Sequence, residues 1–335
     1  MEQVAVVILN HNGKHLLAKF LPSVIQHSHP HRLVVVDNAS EDGSVDFLRQ
    51  HHPQIQCIQL RHNEGFARGY NLALQAIQAT YYVLLNTDVE VTARWITPII
   101  QLMEQNPTIG ACQPKILSYH QKNKFEYAGA GGGFIDSLGY PFCRGRLFST
   151  LEVDQGQYND TREVFWASGA CFFVRASAFR AVGGFDERFF AYYEEIDLCW
   201  RMQRQGFKIY YCGQSQVYHV GSATMGSTNP YKAYLNFRNR ALTLYKNTPA
   251  QDQGRKQALH VFLDLIVAAR ELLLGRGKHC WAILRALVDF FRLKRNYQPP
   301  QQQSHKINNI YQGLLPFAYF IRKKKTFSAL DPARF

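Results

Sequence analysis

The 335-residue sequence has seven cysteines, at 57, 112, 143, 171, 199, 212 and 280, and not one CxxC pair among them. That scatter fits neither a zinc site nor a disulfide framework, so a reducing compartment is expected. Long hydrophobic runs are missing too. The best candidate, VFLDLIVAARELLL, is interrupted by Asp264, Arg270 and Glu271, short of the roughly 18 uncharged apolar residues that suggest a spanning helix. The opening MEQVAVVILNHNG sets an acidic residue before six apolar ones, which reads as a first β-strand and not as a secretory signal. Neither a GxGxxG after that strand nor a P-loop GxxxxGKS/T is present. Any nucleotide must therefore be held in another way.

What is present is ample apolar content, 46%, and an uneven charge. Residues 1–225 carry 19 Lys/Arg against 20 Asp/Glu, whereas residues 226–335 carry 19 against 5. Two regions with different tasks are expected, one over 1–225 and a helical, basic one over 226–335. A basic segment of this kind suits nucleic acid, anionic lipid or an acidic substrate.

In the first region VAVVIL (4–9), LVVVD (33–37), IQCIQL (55–60) and YYVLL (81–85) alternate with segments of helical period. The alternation predicts an α/β fold, a mostly parallel sheet flanked by helices. GFARGYNLALQAIQA (65–79) is expected to cross back over the sheet as a helix, presenting Phe66, Leu72, Ala73, Ala76 and Ala79. Ligands of such sheets collect at the carboxyl ends of the strands. There the sequence puts Asn10 and Asn12, Asp37, Asn63, and Asn86-Thr87-Asp88. One aspartate at a strand end is an ordinary turn residue, but four strand ends aiming polar groups at one edge point to a ligand site.

VVILNHNG (6–13), VVVDNASEDGS (34–44), NEGFARGYN (63–71), LLNTDVEV (84–91) and WASGACFFVRASAFRAVGGFDERFFAYYEEIDLCWR (166–201), in that order and spacing, resemble the family 2 glycosyltransferases. The resemblance covers residues 1 to about 245 and is nearest to the bacterial rhamnosyltransferase-like branch. It implies a GT-A fold and an inverting transfer from a nucleoside-diphosphate sugar to a saccharide, in surface polysaccharide or lipopolysaccharide assembly. It further implies that Asp37 accepts a hydrogen bond from the donor base and that Asn86-Thr87-Asp88 occupies the DxD position. Asn10, Asn12, Asn63, Gly65, Arg68 and Asn71 complete the donor side. Asp88 alone would hold a divalent cation weakly, and the resemblance supplies His219, in VYHVGSATMG, as second ligand. Imidazole favours Mn²⁺, with Mg²⁺ as the alternative.

Glu194, Glu195 and Asp197 open a helix whose Ile196, Leu198, Cys199 and Met202 should turn inward. Acids in a first helical turn also simply complement the helix dipole. The resemblance selects Glu195 as catalytic base, in place of the family's usual aspartate, with Glu194 and Asp197 supporting its placement or contacting the acceptor. Trp166, Gly169 and Ala170 are candidate acceptor contacts, although Trp166 equally suits a packed core. The glycines at 129 and 131–133 suit either a mobile acceptor loop or a tight connection.

In the basic region, Val261, Phe262, Leu265, Ile266, Ala269, Leu272 and Leu273 share one helical face. Trp281, Leu284, Leu287, Val288 and Phe291 share another. Both stripes are expected to cover the catalytic domain first. The accompanying Lys278, Arg285, Arg292, Lys294, Arg295 and the RKKK at 322–325 also suit an anionic membrane surface, and the resemblance implies a lipid-linked acceptor. A cytoplasmic protein, peripheral on the inner face of the membrane, is the corresponding expectation. YQPPQQQSHK (297–306) reads as a linker. Two competing readings remain, a non-catalytic nucleotide-sugar or glycan-binding protein of this fold and a nucleic-acid binder driven by charge. No recognised nucleic-acid motif supports the latter.

Overall fold

The computed structural model describes residues 2–127, 129–221, 229–301 and 305–335. The first half runs β1 (Glu2–Asn10), α1 (Lys14–Ser28), β2 (Arg32–Asp37), α2 (Ser44–His51), β3 (Gln56–Gln59), α3 (Gly65–Gln75), β4 (Ala79–Asn86), β5 (Val89–Val91), α4 (Thr97–Gln105) and β6 (Ile109–Ser118). Four short strands follow, β7 (Gly133–Asp136), β8 (Pro141–Cys143), β9 (Arg146–Leu147) and β10 (Thr150–Leu151). Then come β11 (Thr161–Val164), β12 (Cys171–Arg175), α5 (Ala176–Ala181), α6 (Glu194–Arg204) and β13 (Lys208–His219). The helices α7 (Pro230–Asn247), α8 (Ala250–Leu273) and α9 (Gly277–Leu293) precede a last strand, β14 (Ile310–Tyr311).

The main sheet has the order β11-β13-β6-β12-β4-β1-β2-β3, with β5 paired to β13. β3, β2, β1 and β4 are parallel, as their alternation with helices requires. β12 enters antiparallel between β4 and β6, so the sheet is mixed. Along β1, Ala5 and Val7 enter one core while Val4, Val6 and Ile8 enter the other. Both faces of the strand are buried, which is why it reads as a continuous apolar run. α1 and α4 cover one face, through Leu17, Leu21, Ile99 and Met103; α3, α5 and α6 cover the other.

α3 departs from the expected stripe. It ends at Gln75 and buries Ala67, Tyr70, Ala73 and Leu74, while Ala76 is exposed and Ala79 opens β4. Tyr70 decides the rotation, because its hydroxyl donates to the carbonyls of Val7 (3.4 Å) and Leu85 (3.3 Å) beneath it. α6 buries Ile196, Leu198, Cys199 and Met202, the residues expected.

The boundary at 225/226 falls within 222–228, outside the described residues, as do the SATMG of VYHVGSATMG and residues 302–304 of the linker. The chain beyond the helices returns to the first region. β14 pairs in parallel with β7, and Phe327 and Phe335 pack on Phe134. The glycine-rich stretch, whose Ala128 is also outside the described residues, is a tight connection: Gly129 and Gly131–133 are buried. A Cβ on Gly133 would run into the Trp166 indole.

Candidate active site

The parallel strands deliver their polar ends to one edge, in the register Asn10 opposite Asp37 and Leu9 opposite Asn86. Asn10 is fully buried, and its Nδ2 donates to Asp37 Oδ1 (3.1 Å) and Ser40 Oγ (3.1 Å). Asp37 Oδ2 accepts from the Ser40 backbone N–H (3.0 Å). Asn12, at φ 52, takes the Ser40 hydroxyl on its backbone N–H (2.9 Å) and accepts from the Glu41 N–H (2.8 Å). Such a left-handed turn is tolerated by asparagine. Asn38 then fastens the next loop. Its Nδ2 donates to Asn63 Oδ1 (3.1 Å) and the Gly65 carbonyl (3.2 Å), and its Oδ1 accepts from Glu64 N–H (2.9 Å).

Beside this network Asn10 Oδ1 is buried without a hydrogen-bond partner among the described residues. A Cβ on Gly13 would lie 2.5 Å from that oxygen and 3.6 Å from Thr87 Oγ1. Glycine at 13 thus keeps open a polar hollow between β1 and the Asn86-Thr87-Asp88 turn. Any larger residue would fill it.

Asp88 and His219 meet across β5 and β13, with Nε2 3.1 Å from Asp88 Oδ1. On the other side of the ring Nδ1 lies 3.2 Å from Glu126 Oε2. All three side chains are nearly buried. Burial alone would depress the His219 pKa, but Asp88 and Glu126 outweigh it and push it up to about 10. Burial would likewise raise Asp88, and the His219 charge holds it below its ordinary value instead.

Among the described residues no three His, Cys, Asp or Glu are placed to hold one ion together. The pair Asp88 and His219 has the spacing for a divalent cation, which would have to displace the proton that now joins them. Two neighbouring ligands of an octahedral ion with bonds of about 2.1 Å stand about 3 Å apart, the separation seen between Asp88 Oδ1 and His219 Nε2. A carboxylate behind the other ring nitrogen, here Glu126, is the usual support of a metal-ligating histidine.

Glu195 sits at the N-terminus of α6, half-buried. Burial pushes its pKa up to about 7, against the backbone N–H groups of Glu195, Ile196 and Gly169 that favour the carboxylate. Glu194 is buried more deeply, and burial and the charge of Glu195 raise it well above the usual carboxylate range. One oxygen of each, Oε2, has no hydrogen-bond partner among the described residues. The turn at 168–170 joins this pair to the strand ends. The Gly169 backbone favours the Glu195 carboxylate, and the next carbonyl, of Ala170, accepts from the Asn86 N–H (3.0 Å).

The loop leading into Glu194 is strained. Phe190, Tyr192 and Tyr193 have φ of 65°, 69° and 72°, a region that costs bulky residues of order 1 kcal/mol or more each. α7 holds it there. Asn239 Nδ2 donates to the carbonyls of Phe189 (3.0 Å), Ala191 (2.9 Å) and Tyr192 (2.7 Å). Arg238 adds bonds to Arg188 and Phe189 carbonyls (3.0 and 3.1 Å).

Four expected residues are engaged elsewhere. Asp197 is wholly buried between Arg201 (2.8 Å), Lys246 (3.0 Å) and Asn247 (2.9 Å). Burial would raise its pKa, but Arg201 and Lys246 lower it; it fixes α6 to α7. Asn71 bonds the Phe185 backbone through both its oxygen (3.0 Å) and its nitrogen (2.9 Å), locking the loop before Asp186. Arg68 is paired with Glu64 (3.1 Å) and faces Glu187 (3.8 Å). Trp166 is 4% exposed, and its indole N–H donates to the Phe134 carbonyl (2.9 Å), so it packs and offers no face.

With this geometry in view, known proteins are informative. The family model "Glycosyl transferase family 2" matches residues 5–183, and the chain belongs to that family. An N-acetylglucosaminyl-diphospho-decaprenol L-rhamnosyltransferase of Mycobacterium tuberculosis is 27% identical over 230 residues, 64% of this chain and 74% of that one. A low-salt glycan biosynthesis hexosyltransferase of Haloferax volcanii is 26% identical over 251 residues, 72% of this chain and 75% of that one. Among solved structures, GalNAc-T7 with UDP, GalNAc and Mn²⁺ superposes with a TM-score of 0.57 at 14% identity, covering 88% of this chain and 56% of that one. S. aureus TarS with UDP-GlcNAc gives 0.53 at 14%, covering 87% and 81%. These similarities establish the GT-A fold and a glycosyltransferase of the nucleotide-sugar class.

Proposed function

We propose that the protein is an inverting, metal-dependent glycosyltransferase that moves a sugar from a nucleoside diphosphate to a saccharide hydroxyl. Rhamnose on thymidine diphosphate is the first donor to test, in keeping with the mycobacterial relative's name. That name also supports a lipid-linked acceptor, met at the inner face of the cytoplasmic membrane, in surface polysaccharide assembly. The observation that carries the reading is the meeting at one sheet edge of Asn86, bonded to the Ala170 carbonyl, the Glu195 carboxyl at the start of α6, and Asp88 beside His219.

The donor base would lie against Asp37, and its ribose and diphosphate along Asn10, Asn12, Asn63, Gly65, Asn86 and Thr87. Asp88 and His219 would hold a divalent cation, Mn²⁺ in preference to Mg²⁺ because of the imidazole. When bound, the ion supplies positive charge to the diphosphate leaving group. Glu195 removes the proton of the acceptor hydroxyl as that oxygen attacks the anomeric carbon; the bond to the diphosphate breaks on the opposite face, and the configuration inverts. A carboxylate whose pKa is about 7 is matched to that task near neutral pH. Glu194, held protonated by burial and by its neighbour, leaves the negative charge on Glu195.

The test is the melting temperature with UDP, dTDP, GDP and CMP, each with and without Mn²⁺. Ligand at a hundred times its dissociation constant adds about 2.7 kcal/mol, a readable shift. A shift with one diphosphate that requires Mn²⁺ supports the reading and names the base. No shift with any pair at millimolar ligand would sink it.

A further inference from the structure

α8 is turned inside out. It buries Gln253, His260, Asp264, Ala268 and Glu271, and it exposes Phe262 (59%), Leu265, Ile266, Leu272 and Leu273 (88%). Its inner face docks by polar bonds: Asp264 pairs with Arg240, whose Nε faces His260 Nε2 at 2.9 Å, and Gln253 donates to the Tyr245 and Thr248 carbonyls (2.8 and 3.1 Å). α9 buries Cys280, Ile283, Ala286, Leu287 and Phe290, yet it carries a second apolar stripe outside, Trp281 (68%), Leu284, Val288 and Phe291. Single apolar residues on a surface are ordinary; two successive helices exposing whole apolar stripes are not.

Charge indicates what covers them. Residues 250–296 hold nine Lys/Arg against four Asp/Glu, and Asp264 is buried against Arg240. Arg285 and Arg292 share Asp289, and Arg270 and Arg276 share Glu271, so a cationic excess remains around the stripes. A second copy of the same face would be repelled. A negatively charged lipid surface satisfies both features, taking the apolar stripes at its acyl boundary and the basic side chains at its phosphates. None of the helices described is long and apolar enough to cross a membrane, so the contact is made by helices lying in the plane.

We propose that the α8–α9 hairpin is an anionic-lipid docking surface. This deepens the proposed function by naming the face on which a lipid-linked acceptor is approached, but it rests on the C-terminal helices alone.

The protein carries its own probe. Trp95, Trp166 and Trp200 are 1%, 4% and 3% exposed, whereas Trp281 is 68% exposed, so a blue shift of emission on adding vesicles reports the hairpin. The full chain is mixed with phosphatidylcholine vesicles, with or without a third phosphatidylglycerol, and followed by fluorescence and flotation. The expected result is flotation and a blue shift with the anionic vesicles, reversed by high salt, with the zwitterionic ones giving little of either. Each charge removed in Arg285→Gln/Arg292→Gln should weaken binding about fivefold, and Phe262→Ser/Leu273→Ser should abolish flotation. All four positions are exposed, so the melting temperature is expected to stay unchanged. Glu195→Gln should float like wild type, which separates this result from failure of the catalytic reading. No blue shift with anionic vesicles at low salt overturns the proposal. Flotation unaffected by both double variants overturns it too, as does a lipid-free dimer that shifts Trp281 emission.

Discussion

α6 and α8 both bury acids, and they do it to opposite ends. α6 packs by its apolar side, so its first turn is left projecting at the strand ends, where Glu194 and Glu195 each keep an unpaired oxygen in a buried setting. The cost of desolvating those oxygens appears as raised proton affinity, near neutral pH for Glu195, which is chemical capacity. α8 packs by its polar side, and its Asp264 is held through one oxygen by Arg240, although burial still raises its pKa and Oδ2 has no hydrogen-bond partner among the described residues. Those groups hold a helix in place, and the consequence falls on the outer face, where the apolar residues are left in solvent. A buried carboxylate therefore takes its role from what its helix turns it toward, open strand ends for Glu195 and the Arg240 guanidinium of α7 for Asp264. The side a helix turns inward determines what its other side can meet.

The comparison can be broken at its reactive end first. Glu195→Gln should lower kcat by roughly 10²–10⁴, the usual range for a general base, with Mn²⁺-dependent nucleotide affinity kept. Equal activity would demote the residue. At the structural end, Asp197→Ala takes the carboxylate from Arg201 and leaves Lys246 with Asp186 alone, and should cost about 3 kcal/mol on denaturant unfolding, as a broken buried pair does. Less than about 1 kcal/mol would mean that the Asp197 pairs contribute little to holding α6 on α7.

Asn239→Ala joins the two regions. It takes the shared amide donor from the Ala191 and Tyr192 carbonyls, while Phe189 keeps Arg238, and should cost about 1–3 kcal/mol. It should also lower kcat more than it raises donor KM, because the loop positions Glu194 and Glu195. A change in stability alone would make Asn239 scaffold only.

The Glu195 carboxyl, raised by burial to about 7 from its ordinary value, gives a pH signature with a definite sign. The base is active when ionised, so kcat/KM should climb as pH passes through about 7, and Glu195→Gln should lose that limb. The folded state binds this proton more tightly than the unfolded one, so stability falls as pH rises from about 4.5 to 7. The glutamine variant should then melt a few degrees above wild type at pH 8 and level with it at pH 4. The smallest effect is expected on the outer face of α8. Phe262→Ser should change stability by less than about 0.5 kcal/mol and leave transfer to a water-soluble acceptor unaltered.

Much of the rim is legible in the sequence because it is written in short runs: apolar strands ending in Asn10, Asp37 and Asp88 announce their own termini. The partners that complete it are not. Glu126 reaches His219 from a loop 93 residues away in sequence, and Ser40 and Asn38 look like ordinary turn residues until the strands are side by side. Asn71 and Trp166 lie in matching motifs, yet their bonds to Phe185 and Phe134 commit them to holding loops. In the C-terminal helices, periodicity identifies correctly that Phe262, Leu265 and Ile266 share a face. It does not say which way that face turns, and the expectation that it covers the catalytic domain fails because Asp264, His260 and Gln253 find partners on α7 and its C-terminal turn. Leu287 alone of the second stripe is buried.

The most direct measurement is calorimetric titration of dTDP, and of whichever diphosphate the melting screen selects, into wild type, Asp88→Ala and Glu195→Gln, with and without Mn²⁺. The account predicts Mn²⁺-dependent binding in wild type and in Glu195→Gln. It predicts for Asp88→Ala a loss greater than the roughly tenfold typical of an outer-shell change at a metal site. Undiminished Mn²⁺-dependent affinity in Asp88→Ala would contradict it.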